Sequence, residues 1–226
     1  MVGTCAWYGR EVDPKMAATL SSIASRQPTS TENMEREVKH FWNYCTTHPD
    51  AGVRFHASDM ILLMHSDVSY LSEPESKSRA AGHLYLSKRN NEKFNNGAVV
   101  TLSKIIKHVM TSASEVETAA LFYNCKAAIP IQISLKEMGH TQPKTPVITD
   151  STSAQGLISK TITPERAKSY DVRFNWLKYR EAQNQFDIVC RKGTLNRADY
   201  HSKHHPVRRY MEKQGQYVIY MPLSRQ

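Results

Sequence analysis

The sequence predicts an α/β fold in which a mixed sheet carries helices on its faces. Three strand-like runs follow one another between residues 60 and 102, separated by turn-forming residues, and helical and strand-like segments then alternate to about residue 205. Apolar residues make up 40% of the 226 and charged residues 23%, ordinary for a globular chain long enough to bury one good core. Consecutive strands joined by turns, followed by strands separated by helices, predict three antiparallel strands and then parallel ones.

Residues 1–32 hold short apolar pieces broken by Gly3, Gly9, Pro14 and Pro28. Asn33 is a candidate N-cap for a helix over 34–46, with Glu35 and Glu37 in its first turn, and 48–52 (His-Pro-Asp-Ala-Gly) reads as a turn. The first strand spans 60–70, with Ile61, Leu63 and Val68 and with Asp67 near its exit. The second spans 82–87, and after a turn-rich stretch over 90–97 the third spans 98–102. Ser112 or Ser114 caps a helix to about residue 128, and a further helix from 131 stops at Gly139. A short buried strand over 146–149 delivers Asp150, and a short helix follows over 153–159. A long polar helix then runs from Pro164 to about 183, a last strand spans 186–190, and Asn196 starts a final helix carrying Asp199. The expected division is a partly helical segment over 1–60, a main domain over 61–205 and a tail over 206–226.

Charge is unevenly placed. Residues 1–59 hold six Lys/Arg against seven Asp/Glu, whereas 60–226 hold twenty-four against fourteen, within an overall net charge of +9. Such an excess favours a polyanionic partner, because each neutralised phosphate releases condensed counterions. The longest apolar stretch, Met60-Ile61-Leu62-Leu63-Met64, is far too short to cross a bilayer. The first residues, with Arg10, Glu11 and Asp13, read against a signal peptide. Cys5, Cys45, Cys125 and Cys190 form no Cys-x-x-Cys pair and read as reduced thiols of an intracellular protein.

Against this basic background stand four carboxylates in distinctive settings: Asp67, Glu117, Asp150 and Asp199. Two lie at the ends of strand-like runs and two in helix-like segments. A basic chain gathers acids only where divalent cations bring them together, and magnesium prefers hard oxygen ligands completed by water and substrate phosphate. A magnesium pair about 3.5–4 Å apart activates an attacking water on one side and stabilises the leaving oxygen on the other. Taken singly, Asp67 or Asp150 reads as a strand-ending turn former, and Asp199 as a helix first-turn acid.

The set resembles the ribonuclease H domain of copia-type retrotransposon polyproteins from about residue 62 to 205. The resemblance rests on Ser66-Asp67-Val68-Ser69-Tyr70, Ser78-Arg79-Ala80-Ala81-Gly82-His83, Leu102-Ser103-Lys104, Ser112-Ala113-Ser114-Glu115-Val116-Glu117, Thr149-Asp150-Ser151, and Asn196-Arg197-Ala198-Asp199-Tyr200-His201-Ser202-Lys203. These occur in the family's order and at about its spacing. Tyr8-Gly9-Arg10 and the 41–50 segment look more weakly like the family's connection between polymerase thumb and nuclease. The resemblance implies a ribonuclease H-like five-stranded sheet and two magnesium ions, replaceable by manganese, held by Asp67, Glu117, Asp150 and Asp199. It also implies hydrolysis of the RNA strand of an RNA–DNA hybrid to 5′-phosphate and 3′-hydroxyl ends. The expected partners are that hybrid and an upstream reverse-transcriptase domain of the same polyprotein, in cytoplasm, nucleus or retroelement particle, with no membrane. The chain departs from the family at Ser169 and Asn175, where histidines are usual, and at Ser202, where threonine is.

Glu115 and Glu117 compete for the helical ligand position. Two residues apart on a helix they face nearly opposite ways, so only one joins the cluster. Glu117 precedes the small-apolar run Thr118-Ala119-Ala120-Leu121, as the family's ligand does, whereas Glu115 suits the solvated helix start. Candidate nucleic-acid contacts are Ser66, Ser151, Arg166, Lys168, Arg173, Lys192, Asn196 and Lys203. A zinc reading of His201-x-x-His204-His205 lacks further ligands at suitable spacing. His204 or His205 is a candidate to assist product release. No Asp-Asp pair occurs, so polymerase chemistry is not expected. The competing class is a non-catalytic nucleic-acid-binding or connection module that keeps the fold.

Overall fold

The computed structural model describes residues 2–29, 31–89, 91, 94–159 and 172–221. Its centre is a five-stranded sheet built from β2 (Ile61–Glu73), β3 (Lys77–Ser87), β4 (Ala98–Ile106), β5 (Thr145–Thr149) and β6 (Phe186–Cys190). The strand order is β4-β3-β2-β5-β6; β2, β3 and β4 are antiparallel neighbours, and β5 and β6 run parallel to β2. The three-then-two pattern expected from the sequence is therefore present. The hairpin strands outrun their apolar signal, because Ser69 and Glu73 on β2 still pair with Arg79 and Lys77 on β3. Backbone pairing continues there through residues whose side chains are polar.

One face of the sheet carries α4 (Ala113–Glu137), α5 (Thr152–Ile158) and α6 (Val172–Ala182). Leu62, Met64, Leu84 and Val147 from the strands pack there with Leu121, Cys125, Ala128, Leu157 and Phe174 from the helices. Ser112 caps α4 by accepting from the Glu115 amide. The sequence predicts a break near residue 130, but α4 runs through Pro130. An internal proline costs a helix ~3 kcal/mol. Burial of Ala128, Gln132 and Leu135 on either side, and the Gln132 Nε2 bond to Thr145 Oγ1 at 2.7 Å, offset that cost. Gly139, at φ +88°, ends the helix as expected.

The other face is covered by the N-terminal and C-terminal segments. Helices α1 (Val2–Glu11), α2 (Ala17–Arg26) and α3 (Glu32–Thr47) share a core of Met16, Leu20, Ile23, Met34 and Phe41, and α2 lies on β4. Thr31, not Asn33, caps α3, its hydroxyl accepting from the Met34 amide at 3.3 Å. A buried arginine rivets this layer to the sheet. Arg79 on β3 is fully buried, donates to Glu73 Oε1 on β2 at 2.8 Å, to Ala18 O and Ser22 Oγ on α2, and to Ser103 Oγ on β4. At the other end of the chain, α8 (Val207–Lys213) leads to β7 (Ile219–Tyr220), which pairs antiparallel with β1 (Ala51–Gly52) inside the stretch read as a turn. The long polar helix expected from Pro164 is described only from Val172; its first half, with Arg166, Lys168 and Ser169, lies outside the described residues. Among the described residues no helix is long and apolar enough to cross a membrane.

Candidate active site

Each of the four carboxylates comes from a different element. Asp67 lies in β2, paired with Ala81 of β3, and its side chain is 5% exposed. Glu117 sits in the second turn of α4. Asp150 follows the last residue of β5 and is exposed, and Asp199 opens α7 (Asp199–Ser202). The parallel strands deliver Asp150 beside the strand that carries Asp67, which sequence order alone leaves far apart.

The electrostatics show that these acids share one region. Burial pushes Asp67 up to about 7, and the charges of Asp150 and Asp199 add to it, against a Ser202 hydrogen bond and Lys203. Burial pushes Glu117 up to about 8, with Asp67 and Asp150 adding. Glu115, two residues away, instead accepts from the Thr111 amide and hydroxyl, both at 2.9 Å, and so closes the helix start. Glu117 is thus coupled to Asp67 and Asp150, whereas Glu115 is engaged at the helix start.

Asp199 differs from the other three. Burial works to raise its pKa, but hydrogen bonds and charge from Lys203 and Arg209 outweigh it, and the net is a lowered value. Lys203 Nζ lies 2.7 Å from Oδ1, and Arg209 donates to Oδ2. His205 Nε2 is 2.8 Å from the Asp199 carbonyl oxygen, and His204 Nε2 meets Ser22 Oγ on α2 at 3.3 Å.

Magnesium, which the family resemblance implies, asks for hard carboxylate oxygens that the protein has not already satisfied. Asp67 Oδ2 and Glu117 Oε2 fit that demand, since both are buried and neither has a hydrogen-bond partner among the described residues. An orphaned buried acceptor costs about 1–3 kcal/mol, more when charged, a cost that a proton or a bound cation would offset. Among the described residues no group of three or more acidic, histidine or cysteine side chains is placed to hold a metal ion. Asp199 is instead engaged by Lys203 and Arg209.

Several supporting residues escape sequence reasoning. Asn124 is two helical turns beyond Glu117 on the same face of α4, and its Nδ2 donates to Ser66 Oγ at 2.9 Å and Ala81 O at 2.8 Å. Gly82 makes room for it: a Cβ there would lie 1.8 Å from Asn124 Oδ1. The seven-residue spacing from Glu117 was the available signal. Gly193 plays the same part beside Asp150, where a Cβ would come within 2.7 Å of Oδ2. Nothing short of the fold marks that glycine.

The expected nucleic-acid contacts divide. Ser66 is fully buried with its hydroxyl occupied by Asn124, so it is corrected to a packing residue. Asn196 is corrected too, to a positioning residue. It is buried, its Nδ2 donates to Ser66 O at 2.8 Å and Asp67 Oδ1 at 3.4 Å, and its own Oδ1 accepts from Ala198 N. That use of Asn196, with an extended backbone, is why the final helix starts at Asp199 and not at 196. Ser151 caps α5, accepting from Ala154 N at 3.2 Å. Lys192 is exposed on the loop beside Asp150, Lys203 holds Asp199, and Arg173 is half-buried on α6. Arg166 and Lys168 lie outside the described residues.

No protein-family model matches the chain. Its sequence is 28% identical over 149 residues to the retrovirus-related Pol polyprotein from transposon TNT 1-94 of Nicotiana tabacum. That alignment covers 66% of this chain but 11% of the relative. Similar solved structures include LC11 RNase H1 isolated from compost, at 12% identity over 62% of this chain and 91% of that one, with TM-score 0.45. RNase H1 of Halobacterium salinarum NRC-1 matches at 16% over 62% and 92%, with TM-score 0.38. The PFV RNase H domain matches at 14% over 65% and 91%, also with TM-score 0.38. The chain, with its mixed β4-β3-β2-β5-β6 sheet, is thus similar over two thirds of its length to a stretch of a retrotransposon Pol polyprotein, and spans about a tenth of that relative's length.

Proposed function

We propose that this chain is a magnesium-dependent endonuclease that hydrolyses the RNA strand of RNA–DNA hybrids, leaving 5′-phosphate and 3′-hydroxyl ends, as a step of retroelement reverse transcription. The observation that carries the reading is the buried pair Asp67 and Glu117, each with an orphaned oxygen and a raised pKa, inside a chain of net charge +9. Pure binding of phosphate gains nothing from buried acids, whereas cation-assisted hydrolysis requires them.

In this reading Asp67, Glu117, Asp150 and Asp199 would hold two magnesium ions, or manganese in their place. Bound there, the ions supply an activated water and a stabilised leaving oxygen. The chain's own part is positional. Asn196 fixes the Asp67 carboxylate from one side while Asn124 locks the neighbouring backbone of β2 and β3 to α4. Gly193 lets the loop after β6 close on Asp150. Lys203 and Arg209 keep Asp199 ionised. The upstream partner in this proposal is the reverse-transcriptase region of the same polyprotein.

A non-catalytic module that keeps the fold is the second reading, and the engagement of Asp199 by two cationic side chains favours it. One experiment separates them. The chain is incubated with labelled RNA–DNA hybrid, RNA duplex and DNA duplex, with and without magnesium. Hybrid-specific cleavage that is lost in Asp150→Asn supports the nuclease. Tight binding with no cleavage in magnesium or manganese overturns it in favour of the module.

A further inference from the structure

Beside the carboxylates runs a groove of about 960 Å³, between the turn after β6 and the C-terminal segment. Five cationic residues line it, namely Arg191, Arg197, Arg208, Arg209 and Lys213. Only two carboxylates face them, and one of those is Asp199 itself. The groove and the candidate active site therefore share a wall. We propose that this groove is a subsite for the sugar-phosphate backbone of the nucleic-acid substrate, with Arg208, Arg209 and Lys213 of the C-terminal segment as its phosphate contacts. The inference rests on the nuclease reading and extends it to a part of the chain that the retroelement motifs do not cover.

The groove is built, not incidental. Its C-terminal wall is tied down at several points, so the cations are pre-positioned. Tyr217 OH donates to Arg197 O at 2.8 Å, and Asn95 Nδ2 donates to Gln216 O at 2.7 Å. Tyr200 and Tyr217 stack with ring centroids 4.3 Å apart, and Tyr210 meets Tyr200 edge-on at 5.1 Å. Pairing of β7 with β1 then anchors the chain end. Pre-positioning lowers the ordering cost of binding, and a guanidinium fork matches phosphate geometry.

The Arg208 charge is weakly held and can change partners. Arg208 pairs with Glu212 at 3.0 Å but is almost fully exposed, and solvent screens such pairs so that they hold weakly. Exchange for a phosphate then costs little. Arg209 holds Asp199, so a backbone lying in the groove reaches an arginine that already touches the candidate site. This continuity with the carboxylates favours a nucleic-acid strand over an acidic protein.

The test measures binding by the full chain in EDTA, where hydrolysis does not interfere. The probe is a fluorescein-labelled RNA–DNA hybrid, titrated across salt concentrations. Arg208→Gln combined with Lys213→Gln is expected to weaken binding roughly tenfold and to lower the salt slope by ~1.8, two phosphates at ~0.9 each. The charge-keeping pair Arg208→Lys with Lys213→Arg retains the wild-type slope. Arg36→Gln with Lys39→Gln, on exposed positions of α3 away from the groove, does the same. A double variant that binds with wild-type affinity and slope overturns the subsite, while magnesium-dependent cleavage by the wild type leaves the nuclease reading standing. Loss of slope in the double variant, with no cleavage by the wild type, upholds the subsite and overturns the nuclease.

Discussion

Replacing Asp67 by Asn should make the metal-free protein more stable at alkaline pH, although it removes a central candidate ligand. Burial first, then Asp150 and Asp199, hold this carboxyl at about 7 against an ordinary 3.8. Its folded value is raised, so the stability it contributes is fully present below about 3.8 and drains away as pH rises through about 7. Above both values the ionised form costs the fold about 4 kcal/mol at most. Asn does not titrate and escapes that cost. It keeps an acceptor for Asn196 Nδ2 but places an amide donor near the orphaned Oδ2 position, a loss of ~1–2 kcal/mol. The net gain is therefore ~2–3 kcal/mol, or roughly 5–10 °C in Tm for a chain of this size. The assay is thermal unfolding in EDTA from about pH 4 to about pH 8.5, with the gap between variant and wild type opening as pH rises. Magnesium should then raise the wild type, by ~2.7 kcal/mol at one hundred times its Kd, and leave Asp67→Asn nearly unmoved. A gap that is absent, or the same at both ends of the pH range, refutes the electrostatic account of this site.

Other outcomes follow from single contacts. Arg79→Ala strands the buried Glu73 and frees Ser22, so urea unfolding should show a loss of ~3–5 kcal/mol, with amide protection lost first in α2. His83 is fully buried, no side chain among the described residues hydrogen-bonds its ring nitrogens, and burial lowers its pKa well below the usual value, with the Asn96 backbone working the other way. His83→Leu should raise stability by ~1–2 kcal/mol in the same unfolding measurement, and a loss would show that a partner is missing from this account. Gly193→Ala forces a methyl group against Asp150, and should cut hybrid cleavage by up to ~100-fold while Tm changes little. Glu117→Gln should abolish cleavage and stabilise the metal-free fold, whereas Glu115→Gln, which keeps an acceptor for Thr111 and loses only a helix-start charge, should cost ~0.5 kcal/mol of stability and little activity. The opposite ranking in cleavage would sink the helix-face argument.

Which features were legible in the sequence depends on the range of the interactions behind them. Apolar runs and turn residues reveal β2, β5 and β6, since strand period and punctuation are local properties. The pairing of Ser69 with Arg79 and of Glu73 with Lys77 is not local, so the polar ends of β2 and β3 stayed hidden. Pro130 argues for a break on propensity alone, and only the burial around Gln132 shows why α4 continues. At the site, residue type and order were enough to nominate Asp67, Glu117, Asp150 and Asp199. They were not enough for Ser66 and Asn196, whose polar groups are consumed by Asn124 and Asp67. A serine or asparagine beside an acid looks the same in sequence whether it faces substrate or backbone.

By itself, then, the sequence nominated four hard acids in a basic chain, in an order that resembles ribonuclease H domains, with Glu117 preferred because a helix turns about 100° per residue. The tertiary structure alone decided how those acids are held. Desolvation first, with the neighbouring acids adding to it, raises Asp67 and Glu117, and Lys203 with Arg209 sets Asp199 apart. It also decided that the C-terminal segment returns to β1 and turns three cations toward the site. Burial and long-range contact are properties of the packed chain, and no local pattern of residues encodes them.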